Sequence, residues 1–122
     1  MKTYKELIVW QKSMQLVTTI YKISKLFPSD ENFGLTSQIR RCTVSIPSNI
    51  AEGFGRNSTK NFIRFLQITI RSLFEFQTQI ETALNLEYIK KETYLNVYNN
   101  RREIEAMLSG LINKLNQKIK TT

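Results

Sequence analysis

Few groups in this chain are equipped to do chemistry: the carboxylates Glu52 and Glu75, the thiol of Cys42, and a glycine-bearing turn, Gly53-Phe54-Gly55-Arg56. A carboxylate pair could exchange protons with a substrate, a thiolate could attack one, and glycine backbone could cradle a phosphate. Each lacks its usual companions. The sequence has no histidine, which removes the commonest general base and the commonest metal ligand together. Cys42 is the only cysteine and has no base beside it; among Ile39, Val44 and Ile46 it reads as a small buried hydrophobe. The glycine turn follows a helical pattern rather than a strand and lacks the rest of the dinucleotide fingerprint. No catalytic residue, metal or cofactor is expected, and the chain reads as a non-enzyme.

Charge points elsewhere. Eighteen Lys and Arg against 10 Asp and Glu leave a formal net charge of +8 over 122 residues. Such a balance favours polyanionic partners, RNA, DNA or anionic lipid, without choosing among them, and also serves simply to keep a small protein dispersed. The candidate nucleic-acid surface gathers Lys12, Lys22, Lys25, Arg40, Arg41, Arg56, Lys60, Arg64 and Arg71. Arg56, Lys60 and Arg64 are the compact group, beside a helix amino terminus whose dipole favours phosphate. Arg40 and Arg41 are helix neighbours and diverge by about 100°, so one is structural and the other exposed. The aromatics sit mainly on apolar seams, so contact is expected with backbone phosphate rather than by base stacking.

These residues are positioned by four amphipathic helices, expected over about 5–26, 32–53, 59–86 and 92–119, with no strand signal. Together they form one all-α domain over residues 1–122, an antiparallel up-down four-helix bundle. Phe27-Pro28-Ser29-Asp30 stops the first helix, and Ser58 is the N-cap of the third. In the first helix two apolar stripes lie side by side: Leu7, Trp10, Met14, Val17 and Tyr21, then Val9, Leu16, Ile20, Ile23 and Phe27. They cover about 200° of circumference, twice what a monomeric bundle uses. The excess predicts self-association, with Val9, Leu16, Ile20 and Ile23 as the oligomer interface. Arg101 falls in the seam of the fourth helix, four residues before Glu105, as an i,i+4 ion pair.

The second helix carries the most specific pattern. Leu35, Ile39, Cys42, Ile46 and Ile50 keep helical spacing through Pro47, so the helix continues past a proline and kinks there. That proline removes a hydrogen bond to the Thr43 carbonyl and costs about 3 kcal/mol unless packing absorbs it. Asn49 and Glu52 either bond the backbone it frees or satisfy Arg40 and Arg41 in an internal polar network. Glu52 and Glu75 are the carboxylates expected to be at least half-buried. Gly53 and Gly55 end the helix as residues free to take positive φ.

Taken together, Leu7-Ile8-Val9-Trp10-Gln11-Lys12, Phe27-Pro28, Gly34-Leu35 through Arg40-Arg41, and Ser45-Ile46-Pro47-Ser48-Asn49-Ile50-Ala51-Glu52-Gly53 resemble one known family. With Gly55-Arg56, Ser58, Phe65-Leu66, Ser72-Leu73 and Glu75, they are similar to the 23S ribosomal RNA intervening-sequence proteins, often labelled S23 ribosomal protein. The resemblance covers residues 5 to about 115. Its members are small bacterial four-helix bundles with no agreed biochemical activity, encoded in insertions of 23S rRNA genes and elsewhere. A similar fold serves as the accessory protein of diversity-generating retroelements, a five-fold barrel that associates with nucleic acid and a reverse transcriptase. The resemblance therefore implies a self-assembling bundle, a homopentamer. The chain departs from the family pattern at Cys42, where alanine is usual, and at Asn61, where an acidic residue would complete a capping box with Ser58.

The expected function is that of a cytoplasmic, homo-oligomeric accessory factor associated with RNA or a ribonucleoprotein, with no membrane role. The alternative is a scaffold that docks another protein and has no nucleic-acid role. An enzyme acting on a small acidic substrate is the weakest reading.

Overall fold

The computed structural model describes residues 2–121. A short 3-10 turn at Tyr4–Glu6 precedes α1 (Ile8–Ser24). A second at Ser29–Glu31 precedes α2 (Leu35–Phe54), followed by α3 (Thr59–Asn85) and α4 (Lys91–Thr121). The described residues contain four α-helices and no strand, an all-α fold. Consecutive helices pack side by side, most extensively α2 against α3, and α1 also meets α4. No helix among the described residues is long and apolar enough to cross a membrane.

The ends of the helices follow from local hydrogen bonding. Thr3 accepts from the Lys5 N–H and caps the first turn, and Leu7, extended at ψ 121°, separates that turn from α1. Helix α2 starts at Leu35, the first residue of its apolar seam and later than the expected start near residue 32, and the Glu31 side chain folds forward to accept the Leu35 N–H at 3.1 Å. Ser58 accepts from the Asn61 N–H at 3.1 Å and caps α3. At the far end, α4 runs through Thr121, close to the expected end near residue 119.

The core is made of the expected seams. Leu16 and Ile20 from α1 are fully buried, as are Ile39, Ile46 and Ile50 from α2. They meet Leu66, Leu73, Phe76 and Ile80 from α3 and Val97, Ile104 and Leu108 from α4. Ser13 is buried in α1 and returns its hydroxyl to the Val9 carbonyl at 2.7 Å, which keeps the close-packed face polar-satisfied.

Two expectations about α2 change. Pro47 lies buried inside an uninterrupted helix, yet neither Asn49 nor Glu52 reaches the Thr43 carbonyl. Asn49 Nδ2 donates to the Ser45 carbonyl at 2.8 Å, and Glu52, exposed, accepts from Arg56. Neither bonds Arg40 or Arg41, so no internal network forms there. Gly53 and Gly55 also avoid positive φ. Gly53 lies inside the last turn of α2, pressed on Phe65 and Phe62 of α3, and Gly55 sits at φ −79°. The demand on Gly53 is steric, from a close helix crossing, and not conformational.

Candidate nucleic-acid interface

The nine basic candidates separate into groups with different surroundings. Arg40 is the structural member of its pair: Nε donates to Ser24 Oγ at 2.7 Å, and the guanidinium lies 4.8 Å from the Tyr21 ring centroid. Arg41 is exposed on the other side of α2. Lys12 pairs with Glu103 of α4 at 3.0 Å. Arg56 pairs with Glu52 at 2.8 Å and packs 4.8 Å over Phe65. It is therefore tethered, and the compact trio at the α2–α3 turn reduces to Lys60 and Arg64. Lys22, Lys25, Arg41, Lys60, Arg64 and Arg71 are exposed and make no ion pair among the described residues.

Helical spacing aligns Lys60, Arg64 and Arg71 along the outer face of α3, the face its core seam leaves wet. Beside Arg71, an open hollow of about 510 Å³ lies between α2 and α3, lined by Gln38, Arg41, Cys42, Ser45, Ser72 and Glu75. Its floor is tied together. Ser45 Oγ donates to the Cys42 carbonyl at 2.5 Å and lies 3.2 Å from Ser72 Oγ, while the Cys42 thiol reaches the Ser72 carbonyl at 3.2 Å. Burial, followed by the charge and hydrogen bond of Glu75, pushes the Cys42 thiol up to about 12. At neutral pH it is a protonated donor and not a nucleophile. Glu75 is exposed at the rim and Glu52 is exposed elsewhere, so the expectation of half-buried carboxylates does not hold for either. No group of three or more His, Cys, Asp or Glu among the described residues is placed to hold a metal ion.

Lys22 and Lys25 belong to a different feature. They edge a trough between α1 and α2 floored by Val17, Tyr21 and Val44. It continues past Tyr4, Trp10, Met14, Pro47 and Ala51, sharing Val17 and Val44. The residues expected as an oligomer interface are not on the surface. Val9, Leu16 and Ile20 are buried inside the protomer and Ile23 packs half-buried against its core, because that stripe of α1 faces inward. The surplus apolar arc of α1 is the other stripe, where Met14 and Tyr21 each stay 40% exposed.

The hollow was not anticipated, although its signal is present. Gln38, Arg41 and Ser45 repeat at helical spacing beside the α2 seam, and Ser72 and Glu75 do so on α3. Polar stripes flanking two apolar seams that pack together must meet at the shared groove.

A sequence profile of the family described as 23S rRNA-intervening sequence protein matches residues 5–110. A crystal structure of a protein of unknown function from the S23 ribosomal protein family, from Bacteroides thetaiotaomicron VPI-5482, is similar to this chain with a TM-score of 0.80 at 29% identity. That likeness covers 86% of this chain and 98% of the other. No match is found among curated protein sequences. The expected family and the helical fold thus agree with both comparisons, and the chain belongs to the 23S rRNA-intervening sequence protein family.

Proposed function

We propose that this protein is a non-enzymatic, homo-oligomeric accessory factor that associates in the cytoplasm with RNA or a ribonucleoprotein. The observation that carries this reading is the line of Lys60, Arg64 and Arg71 on the outer face of α3, exposed and free of ion pairs among the described residues. Cations already paired to carboxylates release little on meeting phosphate, whereas unpaired ones displace condensed counterions from the nucleic acid. The family, whose description refers to ribosomal RNA intervening sequences, supports the same class of partner.

The bundle in this reading is a single domain with an antiparallel up-down path and a kink at Pro47. Support comes from pairs that join the end of one helix to the start of the next, such as Ser24 with Arg40 and Gly53 with Phe62. Copies meet through the α1–α2 trough in a ring, of five members by analogy with the related barrel. Repetition around the ring lets weak phosphate contacts add.

The trough also favours a second reading, a scaffold that seats another protein there without any nucleic-acid role. One experiment separates them. RNA binding is expected to weaken steeply as salt rises from about 50 to 200 mM, and each of Lys60→Ala, Arg64→Ala and Arg71→Ala should lower the salt slope by about one. Indifference to RNA at low salt would leave the scaffold. Light scattering tests the ring, and a monomeric mass would remove it.

A further inference from the structure

The hollow between α2 and α3 has a charge arrangement that neither the fold nor the phosphate line requires. Arg41 and Glu75 line it together, both exposed, yet they form no ion pair with each other or with any other described residue. A guanidinium is donor-only and a carboxylate acceptor-only, so two such groups on one cavity without pairing offer complementary bonds to something set between them. The remaining wall is already fixed. The hydroxyls of Ser45 and Ser72 and the Cys42 thiol are held by backbone carbonyls and by one another, and the thiol also borders Glu75, whose two oxygens keep lone pairs for further donors. At about 510 Å³ the space falls within the range of small-ligand sites.

We propose that this hollow receives a guanine base of single-stranded RNA, with its Watson–Crick edge between Arg41 and Glu75. The inference rests on the RNA-binding reading above and assigns that reading a base preference. Guanine presents the O6 acceptor next to two adjacent donors, N1–H and the N2 amine. Two carboxylate oxygens of Glu75 accept from the two donors, and Arg41 donates to O6. Uracil offers one donor between two carbonyls that repel a carboxylate, and adenine offers a single amine beside an acceptor nitrogen. Only a single strand leaves that edge free. The backbone of the same strand is within reach of cations, since Arg71 directly precedes Ser72 and continues the line of Arg64 and Lys60.

The test is fluorescence anisotropy with a labelled uridine oligomer, the same oligomer with one central guanosine, and the same with inosine there, which lacks the N2 amine. The guanosine oligomer should bind about tenfold more tightly than all-uridine, within the range that one bidentate contact is worth, with inosine between them. Glu75→Gln should abolish the preference, while affinity for all-uridine should not fall, because losing a carboxylate leaves the phosphate contacts in place and makes the surface more positive. Equal affinity for all three oligomers, or a guanosine preference that survives Glu75→Gln, overturns the base assignment and leaves the phosphate contacts standing. Failure to bind any oligomer overturns both the base assignment and the RNA reading beneath it.

Discussion

A β-carbon added to Gly53 would stand 2.6 Å from the β-carbon of Phe65, so α2 and α3 cross at a point where only hydrogen fits. The opposing atom is bound directly to the α3 backbone and cannot swing aside as a side-chain tip would. Gly53→Ala therefore has to separate two helices that share the largest interface in the bundle. Alanine gains about 1 kcal/mol of helix propensity over glycine, and overpacking costs about 1–3 kcal/mol, so a net loss is expected. A urea melt would show it as a lower midpoint. A midpoint equal to or above that of the wild type would mean the crossing relaxes freely.

Glycine is missing where the backbone would use it. Helix α3 closes with the Tyr88 N–H bonded to the Ala83 carbonyl at 2.9 Å and with Glu87 at φ 64°, the left-handed position of a Schellman ending. A non-glycine residue pays about 1 kcal/mol for that conformation. Glu87→Gly should accordingly stabilise the protein by somewhat less than about 1 kcal/mol, because glycine also loosens the unfolded chain. Differential scanning calorimetry should record a higher Tm, and an unchanged or lower one would argue against the strain.

Gly53 and Glu87 illustrate what could be read from the chain and what could not. Periodicity located the seams, since the spacing from Leu35 to Ile50 depends only on 3.6 residues per turn, and all five residues of that seam are buried. It could not say which of two stripes on α1 faces inward, because Val9–Leu16–Ile20 and Trp10–Met14–Val17 are equally apolar. Their difference is set by where α2 and α4 lie, a tertiary fact. The basic candidates divide in the same way. Arg41 and Arg71 are free, whereas Arg56 is held by Glu52 and Lys12 by Glu103. The first pair is local in sequence and could be found at i,i+4; the second joins α1 to α4 and could not. The polar hollow is intermediate, visible as two stripes but located only once α2 and α3 are placed together.

Stability should depend on pH through the two loops. Tyr88, after α3, donates its hydroxyl to Glu31, before α2, at 2.7 Å. This bond, aided by the Leu35 N–H, holds the Glu31 carboxyl below its ordinary 4.5. The contribution of Glu31 is then complete above the ordinary carboxylate range and is lost as pH falls through the lowered value. The same bond raises the Tyr88 phenol above 10.0, so its contribution is complete below that value and is lost as pH rises through the raised one. Tyr88→Phe should be less stable than wild type between those limits, with the gap narrowing in acid. Urea melts at about pH 7 and about pH 3 test this, and a gap that is constant or wider in acid would count against it.

Cys42 should be inert while the protein is folded. Burial and the nearby Glu75 keep the thiol protonated, with its titration moved up to about 12. Alkylation by iodoacetamide at neutral pH should proceed only as fast as the protein opens, so labelling in urea should outpace native labelling by the unfolding equilibrium. Rapid native labelling would require an accessible thiolate and contradict the packing between α2 and α3.

Arg101 presents a charge in the core that an apolar side chain could replace. Its side chain is 6% exposed, and it bonds Glu105 at 2.8 Å, the i,i+4 pair expected from the sequence. The guanidinium also lies 5.4 Å from the Tyr98 ring and 5.9 Å from Phe74, while Nε is buried without a partner. Bringing a guanidinium out of water costs free energy that one carboxylate, itself a third exposed, repays only in part. Removing the carboxylate alone leaves a buried charge supported by aromatic faces, and Glu105→Ala should cost about 2 kcal/mol. Removing the charge restores an apolar seam between Val97 and Ile104, so Arg101→Met should be close to neutral. The double variant should then resemble Arg101→Met, since the glutamate has nothing left to pair with. A double-mutant cycle by chemical denaturation measures all three, and Arg101→Met losing more stability than Glu105→Ala would show that the pair stabilises the fold outright.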